Sequence, residues 1–308
     1  MRNSFVRVLM EIAEADKRVF LLTPDMGFSV LESFRNAFPE RFVNTGIAEQ
    51  NTIGVAAGLA MSGYVVYVYS IIPFVTMRCF EQVRVDLAYQ QTNVKIIGVG
   101  AGYTYGPAGA THHAIEDIAI MRALPNMTVL CPGDPVEVAA LLRQAHALPG
   151  PVYMRLGKNG EPHLHASEES VRLGYASTLR KGESFALIAT SNMLDQAAQW
   201  VDGWAAQGIA VELVSMHTIK PFDREAVISL IEREMAIITL EEHSVIGGLG
   251  SAVAEIIAES GYGVPFMRLG IPDQYSHYVG GQMFQREKFG LLDIPDLKSL
   301  IKRTRMRQ

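Results

Sequence analysis

A chain of 308 residues, 49% of them apolar and only 19% charged, is long enough for two ordinary domains with sizeable cores. Its net charge of −5 offers no basic footprint for nucleic acid or an anionic membrane, and no uninterrupted apolar run approaches the roughly 20 residues that a membrane-spanning helix needs. The two cysteines, Cys79 and Cys131, lie far apart without CxxC spacing, which sets aside a disulfide framework and favours a reducing, cytoplasmic setting.

The first predicted element is an amphipathic helix, because Phe5, Val8, Leu9 and Ile12 fall at helical spacing; Glu11, Glu14 and Asp16 beside them do not suit a signal core or a transit peptide. Short β-branched runs then alternate with longer helical patterns, the signature of a parallel sheet covered by helices. Strands are expected at 19–22, 42–44, 65–69, 94–99, 127–130 and 152–156, and a helix at 136–147 opens behind Pro135. From Leu156 to about Gly182 the pattern dissolves into Gly, His, Ser and charged residues, which reads as a connection. A second unit follows, with strands at 185–190, 210–215 and 236–241 and helices at 194–207, 223–233 and 250–259. The expectation is an α/β fold of two domains, each a mostly parallel sheet flanked by helices: residues 1–165, a linker at 166–182, and residues 183–308.

One segment stands apart. Thr45-Gly46-Ile47-Ala48-Glu49-Gln50-Asn51 runs into the small, apolar stretch Gly54-Val55-Ala56-Ala57-Gly58-Leu59-Ala60, so that Glu49 opens an otherwise buried helix. A carboxylate in the first turn suits the helix dipole, but one placed in so apolar a setting calls for a partner. Downstream come Ser70 and Phe74, Arg78, Phe80-Glu81-Gln82-Val83-Arg84, a glycine-dense segment from Gly98 to Gly109, Thr111-His112-His113, Glu116-Asp117 and Leu124-Pro125-Asn126.

In the order and spacing of these pieces, from about Asp25 to Arg155, the chain resembles the pyrimidine-binding domain of the transketolase family of thiamine-diphosphate enzymes. The second half, with Thr239-Leu240-Glu241-Glu242-His243 and Gly247-Gly248-Leu249-Gly250, resembles the transketolase C-terminal domain. That glycine turn, alone behind a strand, reads as a structural turn rather than a phosphate cradle. The resemblance implies that Glu49 hydrogen-bonds the cofactor's aminopyrimidine ring and readies its thiazolium carbon for attack. It further implies that Phe74 stacks on that ring, that Asp25 shapes the thiazolium end, that His112 contacts the donor's carbonyl or hydroxyl, and that Ser29 and Arg155 hold a substrate phosphate.

The family's diphosphate-binding domain, with its magnesium-binding Gly-Asp-Gly and downstream Asn, has no counterpart in the sequence. Gly133-Asp134 with Asn159 mimics the spacing, but Pro135 takes the third position, and Pro132 to Glu137 match a different family segment. No metal ligand is therefore assigned to this chain. The chain reads as the C-terminal subunit of a split transketolase, moving a two-carbon ketol unit from a ketose, phosphorylated or not, to an aldose acceptor. Thiamine diphosphate is the expected cofactor, with Mg²⁺ held by an N-terminal, diphosphate-binding partner subunit. A dimer of this chain, and with the partner a heterotetramer inactive without it, is the expected assembly. Alternatives from the same resemblance are a beta-type subunit of a 2-oxo-acid dehydrogenase or a deoxyxylulose-phosphate-synthase-like enzyme, and a non-catalytic scaffold. Two departures bear on substrate: Ala108 stands where most members carry an acidic hydroxyl-binding residue, and Gly100 where classical members carry a phosphate-binding His.

Overall fold

The computed structural model describes residues 1–158 and 160–297. Asn159 and the C-terminal end of the second expected domain lie outside the described residues. The strands are β1 (Val19–Thr23), β2 (Phe42–Asn44), β3 (Val65–Ile71), β4 (Val94–Val99), β5 (Thr128–Leu130), β6 (Val152–Leu156), β7 (Ser177–Arg180), β8 (Phe185–Ala189), β9 (Val211–Ser215), β10 (Thr218–Lys220), β11 (Ala236–Ser244) and β12 (Phe266–Ile271). They form two sheets, ordered β10-β5-β6-β4-β3-β1-β2 and β12-β11-β8-β9-β7. Both are parallel except at one edge, where β10 runs against β5 and β7 against β9. Helices cover both faces of a parallel sheet, which is why β3 and β4 are buried along their whole length and read as unbroken runs rather than alternating ones.

The helices are α1 (Arg2–Ala15), α2 (Glu32–Ala37), α3 (Glu49–Met61), α4 (Ile72–Thr76), α5 (Phe80–Gln82), α6 (Asp117–Ala123), α7 (Pro135–Ala147), α8 (Leu194–Ala205), α9 (Arg224–Glu232), α10 (Leu249–Ser260) and α11 (Gln282–Lys288). On one face of the first sheet, α1 buries Phe5, Val8, Leu9 and Ile12 in a core shared with Val138, Leu141 and Leu142 of α7. On the other face, Ile53 of α3, Val83 and Met121 join a core that continues into the second domain through Ile188, Val214 and Val253. The two halves therefore share apolar packing, and the second half contributes strand β10 to the first sheet. The stretch read as a connection holds β7, a polar edge strand against β9.

Two details settle small questions left by the sequence. Asp134, fully buried, caps α7: its Oδ1 accepts the N–H of Glu137 at 2.7 Å, and its Oδ2 accepts those of Leu164 and His165 at 2.8 and 2.9 Å. The Gly-Asp pair is thus a helix cap. At the start of α10 the N–H groups of Leu249 and Gly250 donate to the two carboxyl oxygens of Glu241 at 2.7 and 2.8 Å. The glycine turn binds the chain's own carboxylate and is structural.

Candidate active site

Parallel strands deliver their C-terminal ends to one edge of the sheet, where α/β proteins place their sites. In the first sheet that edge collects Asp25 after β1, Glu49 after β2, Phe74 after β3, the Gly100–Tyr105 turn after β4 and Lys158 after β6. Glu49 is the first residue of α3 and is 5% exposed. Its Oε1 accepts a hydrogen bond from Nη1 of Arg78 at 2.8 Å. The same guanidinium lies over Phe74, 4.2 Å from the ring centroid. Phe74 in turn meets His112 edge to face at 5.0 Å.

The contacts continue along the edge. Thr111 Oγ1 lies 3.0 Å from Nδ1 of His112, which fixes the imidazole and leaves Nε2 for another partner. Tyr105 meets His112 at 6.4 Å, and the Lys158 ammonium sits 5.3 Å over the Tyr105 ring. Tyr105 can lie there because residue 100 has no side chain: a Cβ on Gly100, whose φ is +97°, would stand 2.3 Å from the tyrosine ring. A tyrosine therefore fills the space above the end of β4.

Asp25 and Ser29 form a second group on this edge, both in the left-handed backbone region at φ 54° and 60°. Asp25 exchanges two hydrogen bonds with Asn44, each 3.0 Å, and the N–H of Ser29 donates to Glu32 at 2.7 Å. Such conformations cost of order 1 kcal/mol or more for a non-glycine residue, and they collect at functional sites. None of these hydrogen bonds reaches Glu49, Phe74 or His112.

Arg155 corrects the sequence reading. Its side chain on β6 points inward and is fully buried. Nε donates to Asp117 at 2.8 Å, Nη1 to Ser191 at 3.0 Å, and Nη2 to the carbonyls of Ala114 and Glu242 at 2.8 and 3.0 Å. Tyr153 donates to the same Asp117 oxygen at 2.6 Å. Arg155 is thus the centre of the joint between the two domains and has no face toward a substrate. A second cation on this edge, besides Arg78, is Lys158, three residues on and past the end of the strand, where a strand-end search could have found it. His113 donates through Nε2 to the carbonyl of Gly106 at 3.2 Å and packs on Tyr103, while Asp117 belongs to Arg155. His243, buried at the joint, is held by Ala119 and Ser244, and burial lowers its pKa to about 4.

A flat group bearing N–H donors, held between a buried carboxylate and an aromatic face with an imidazole alongside, is the shape Arg78 adopts here. The same donor set suits an aminopyrimidine. The transketolase pyrimidine-binding domain matches residues 1–161, and the transketolase C-terminal domain matches residues 174–290. The chain is 39% identical over 292 residues to the 6-deoxy-6-sulfo-D-fructose transketolase subunit SqwH of Clostridium sp. (strain MSTE9), covering 94% of this chain and 90% of that one. It is 41% identical over 275 residues to a subunit of the apulose-4-phosphate transketolase of Phocaeicola vulgatus, covering 89% and 88%. Among solved structures, a split-gene transketolase in an inactive beta4 tetramer superposes with a TM-score of 0.85 at 37% identity, over 94% of this chain and 93% of that one.

Proposed function

Since this chain belongs to the transketolase family of thiamine-diphosphate enzymes, we propose that it is the C-terminal subunit of a two-subunit transketolase. In this reading it transfers a two-carbon ketol unit between a ketose donor and an aldose acceptor. The observation that carries the reading is the Arg78 guanidinium clasped between Glu49 and Phe74, the place an aminopyrimidine would take. When bound, thiamine diphosphate supplies the carbon nucleophile and electron sink of ketol transfer. Glu49, buried at the start of α3, would hold a ring N–H on its carboxylate. Phe74 would offer the stacking face, which the Arg78 guanidinium covers in the structure. His112, oriented by Thr111, exchanges a proton with the oxygen of the sugar through Nε2. Asp25 and Ser29, on the strained loop after β1, would border the thiazolium and the substrate's far end.

The diphosphate and its Mg²⁺ are assigned to an N-terminal partner subunit, because Asp134, the acidic residue of the Gly-Asp pair, is consumed as a helix cap. We assign the working assembly as a heterotetramer, two copies of each chain, in the cytoplasm. Among the described residues, no helix is long and apolar enough to cross a membrane. Ala108 and Gly100 remove two contacts to a standard sugar phosphate, and Lys158 beside Tyr105 supplies a cation in their neighbourhood. The substrate is accordingly a modified sugar bearing an anionic group. Glu49→Gln tests the core of the proposal: the fold is kept, turnover of the reconstituted complex falls by on the order of 10², and exchange of the cofactor's C2 proton, followed by NMR in deuterated water, slows in parallel. Exchange at the wild-type rate would remove Glu49 from the chemistry.

A further inference from the structure

The run Glu241-Glu242-His243 places two adjacent carboxylates inside β11, and both are fully buried. Successive residues of a strand face opposite sides of the sheet. Glu241 faces the start of α10, where the N–H groups of Leu249 and Gly250 occupy it. Glu242 faces the other way, onto the turn that follows β4 in the first domain. Its Oε1 accepts the N–H of Tyr103 at 3.1 Å. Its Oε2 accepts from Nδ2 of Asn192, from Nε2 of Gln282 at 2.8 Å and from Nη2 of Arg286 at 2.7 Å. All four partners are donors, so the position suits an ionised carboxylate, which only accepts, and not an amide.

The same side chains hold the neighbouring residues of the turn. Asn192 also donates to the carbonyl of Ala101 at 3.1 Å, and Gln282 to Oγ1 of Thr104 at 3.2 Å. Gly102, at φ +60°, lies so close that a Cβ there would stand 2.4 Å from Cδ of Glu242. The Tyr103 ring stacks on Phe289 of the second domain at 5.4 Å. On the side of the first domain, Gly100 and Ala101 donate to Leu156, and Gly102 pairs with Ala114. The next residue along is Tyr105, whose ring meets His112.

We propose that Glu242 is a positioning residue for ketol transfer. The second domain lends no side chain to the Glu49–Phe74–His112 cluster, yet through this carboxylate it fixes the turn at 101–104 and so sets where Tyr105 stands against His112. The inference rests on the transketolase reading above, and it gives the second domain a part in the sugar steps but none in readying the cofactor. Among the described residues, no hydrogen bond of the turn reaches Glu49 or Phe74.

Two variants loosen the turn from opposite sides. Glu242→Gln turns an amide N–H toward one of four donors, and Gly102→Ala drives a methyl group against Glu242 while keeping both charges of the Glu242–Arg286 pair. If Glu242→Gln does not fold, Gly102→Ala decides alone. In the purified full chain, the amides at 101–105 should exchange with deuterated water at least about ten-fold faster in each variant, and those of β3 at the wild-type rate. The complex reconstituted with an N-terminal partner subunit is then offered xylulose 5-phosphate or a terminally sulfonated ketohexose as donor, with ribose 5-phosphate as acceptor. Its kcat/KM should fall by on the order of 10 to 10², the scale of a reacting group displaced by about 1 Å. Exchange of the cofactor's C2 proton should stay within about two-fold of wild type, whereas a loss of folded protein would lower both in proportion. Turnover at the wild-type level in a variant whose turn exchanges faster, or C2 exchange that falls in step with turnover, would overturn the inference. Unchanged amide exchange at 101–105 in both variants would overturn it too, because Glu242 would then not hold the turn. A wild-type complex without thiamine-dependent turnover would instead overturn the transketolase reading, and the inference with it.

Discussion

Replacing Arg155 separates a joint between domains from a substrate contact. Arg155→Met removes the guanidinium that faces Asp117, and both partners of that ion pair are fully buried. The lost partner leaves a carboxylate that still accepts from Tyr153 at 2.6 Å but whose other oxygen already lacks any partner. It also strips the Ala114 and Glu242 carbonyls and the Ser191 hydroxyl of their donor. Removing one member of a buried pair costs about 3–5 kcal/mol. At about 2–4 °C per kcal/mol for a chain of this class, the thermal midpoint should fall by roughly 6–20 °C. Converting Asp117 to Leu in the same chain removes the stranded charge, and the double variant should recover a good part of the loss, since buried pairs often do no better than apolar residues of similar size. The assay is scanning calorimetry of the three variants beside KM for an anionic sugar in the reconstituted enzyme. A midpoint within 2 °C of wild type, together with a KM raised ten-fold or more, would refute the structural role and return Arg155 to the substrate.

Lys158→Ala should give the complementary result: an unchanged midpoint, and kcat/KM lowered about ten-fold for a substrate ending in phosphate or sulfonate but not for an uncharged sugar, the scale of one charge-assisted contact. The same panel should place xylulose 5-phosphate with ribose 5-phosphate below a modified sugar, because the contacts missing at Gly100 and Ala108 no longer reward the standard pair; turnover of that pair above all others would show the departures to be compensated. The buried His243 gives a pH signature. Burial lowers its pKa to about 4, so the unfolded chain takes up a proton first as pH falls below the ordinary histidine value of about 6.5, and stability is lost between there and pH 4. Glu137 and Glu241, both pushed up to about 7 by burial, act in the opposite sense over much of that range. His243→Gln should therefore gain on wild type by about 1.4 kcal/mol per pH unit between pH 6 and 4.5 in urea titrations, and a constant difference would mean that the imidazole does not stay neutral in the folded chain.

What the sequence makes legible follows from where its signals are local. The runs at 94–99 and 152–156 coincide with β4 and β6 because a strand buried on both faces needs no partner to be recognised. β7, β10 and β12 escape notice for the converse reason: Ser177–Arg180 and Thr218–Lys220 are short, polar edge pieces, and Phe266–Ile271 is half exposed along most of its length. Glu49 is legible because a single carboxylate at the head of an apolar helix is out of place in one dimension as well as in three. Arg155 and Lys158 invert the lesson. Their separation of three residues is trivial in sequence, yet one lies within a strand and faces the joint while the other lies beyond its end and rests on Tyr105. No spacing rule reports which way a strand residue points once both faces of the sheet are covered. The contacts that decide the matter come from far along the chain: Asp117 is 38 residues from Arg155, and Glu242 is 87. The same is true of Arg78, conspicuous in the sequence only as one member of a motif. Its meaning depends on two neighbours, Phe74 within its own turn and Glu49 on another helix, which meet only after β3 is laid beside β1. Chemistry carried by a residue's type can thus be read from the chain, whereas chemistry carried by its orientation waits for the fold.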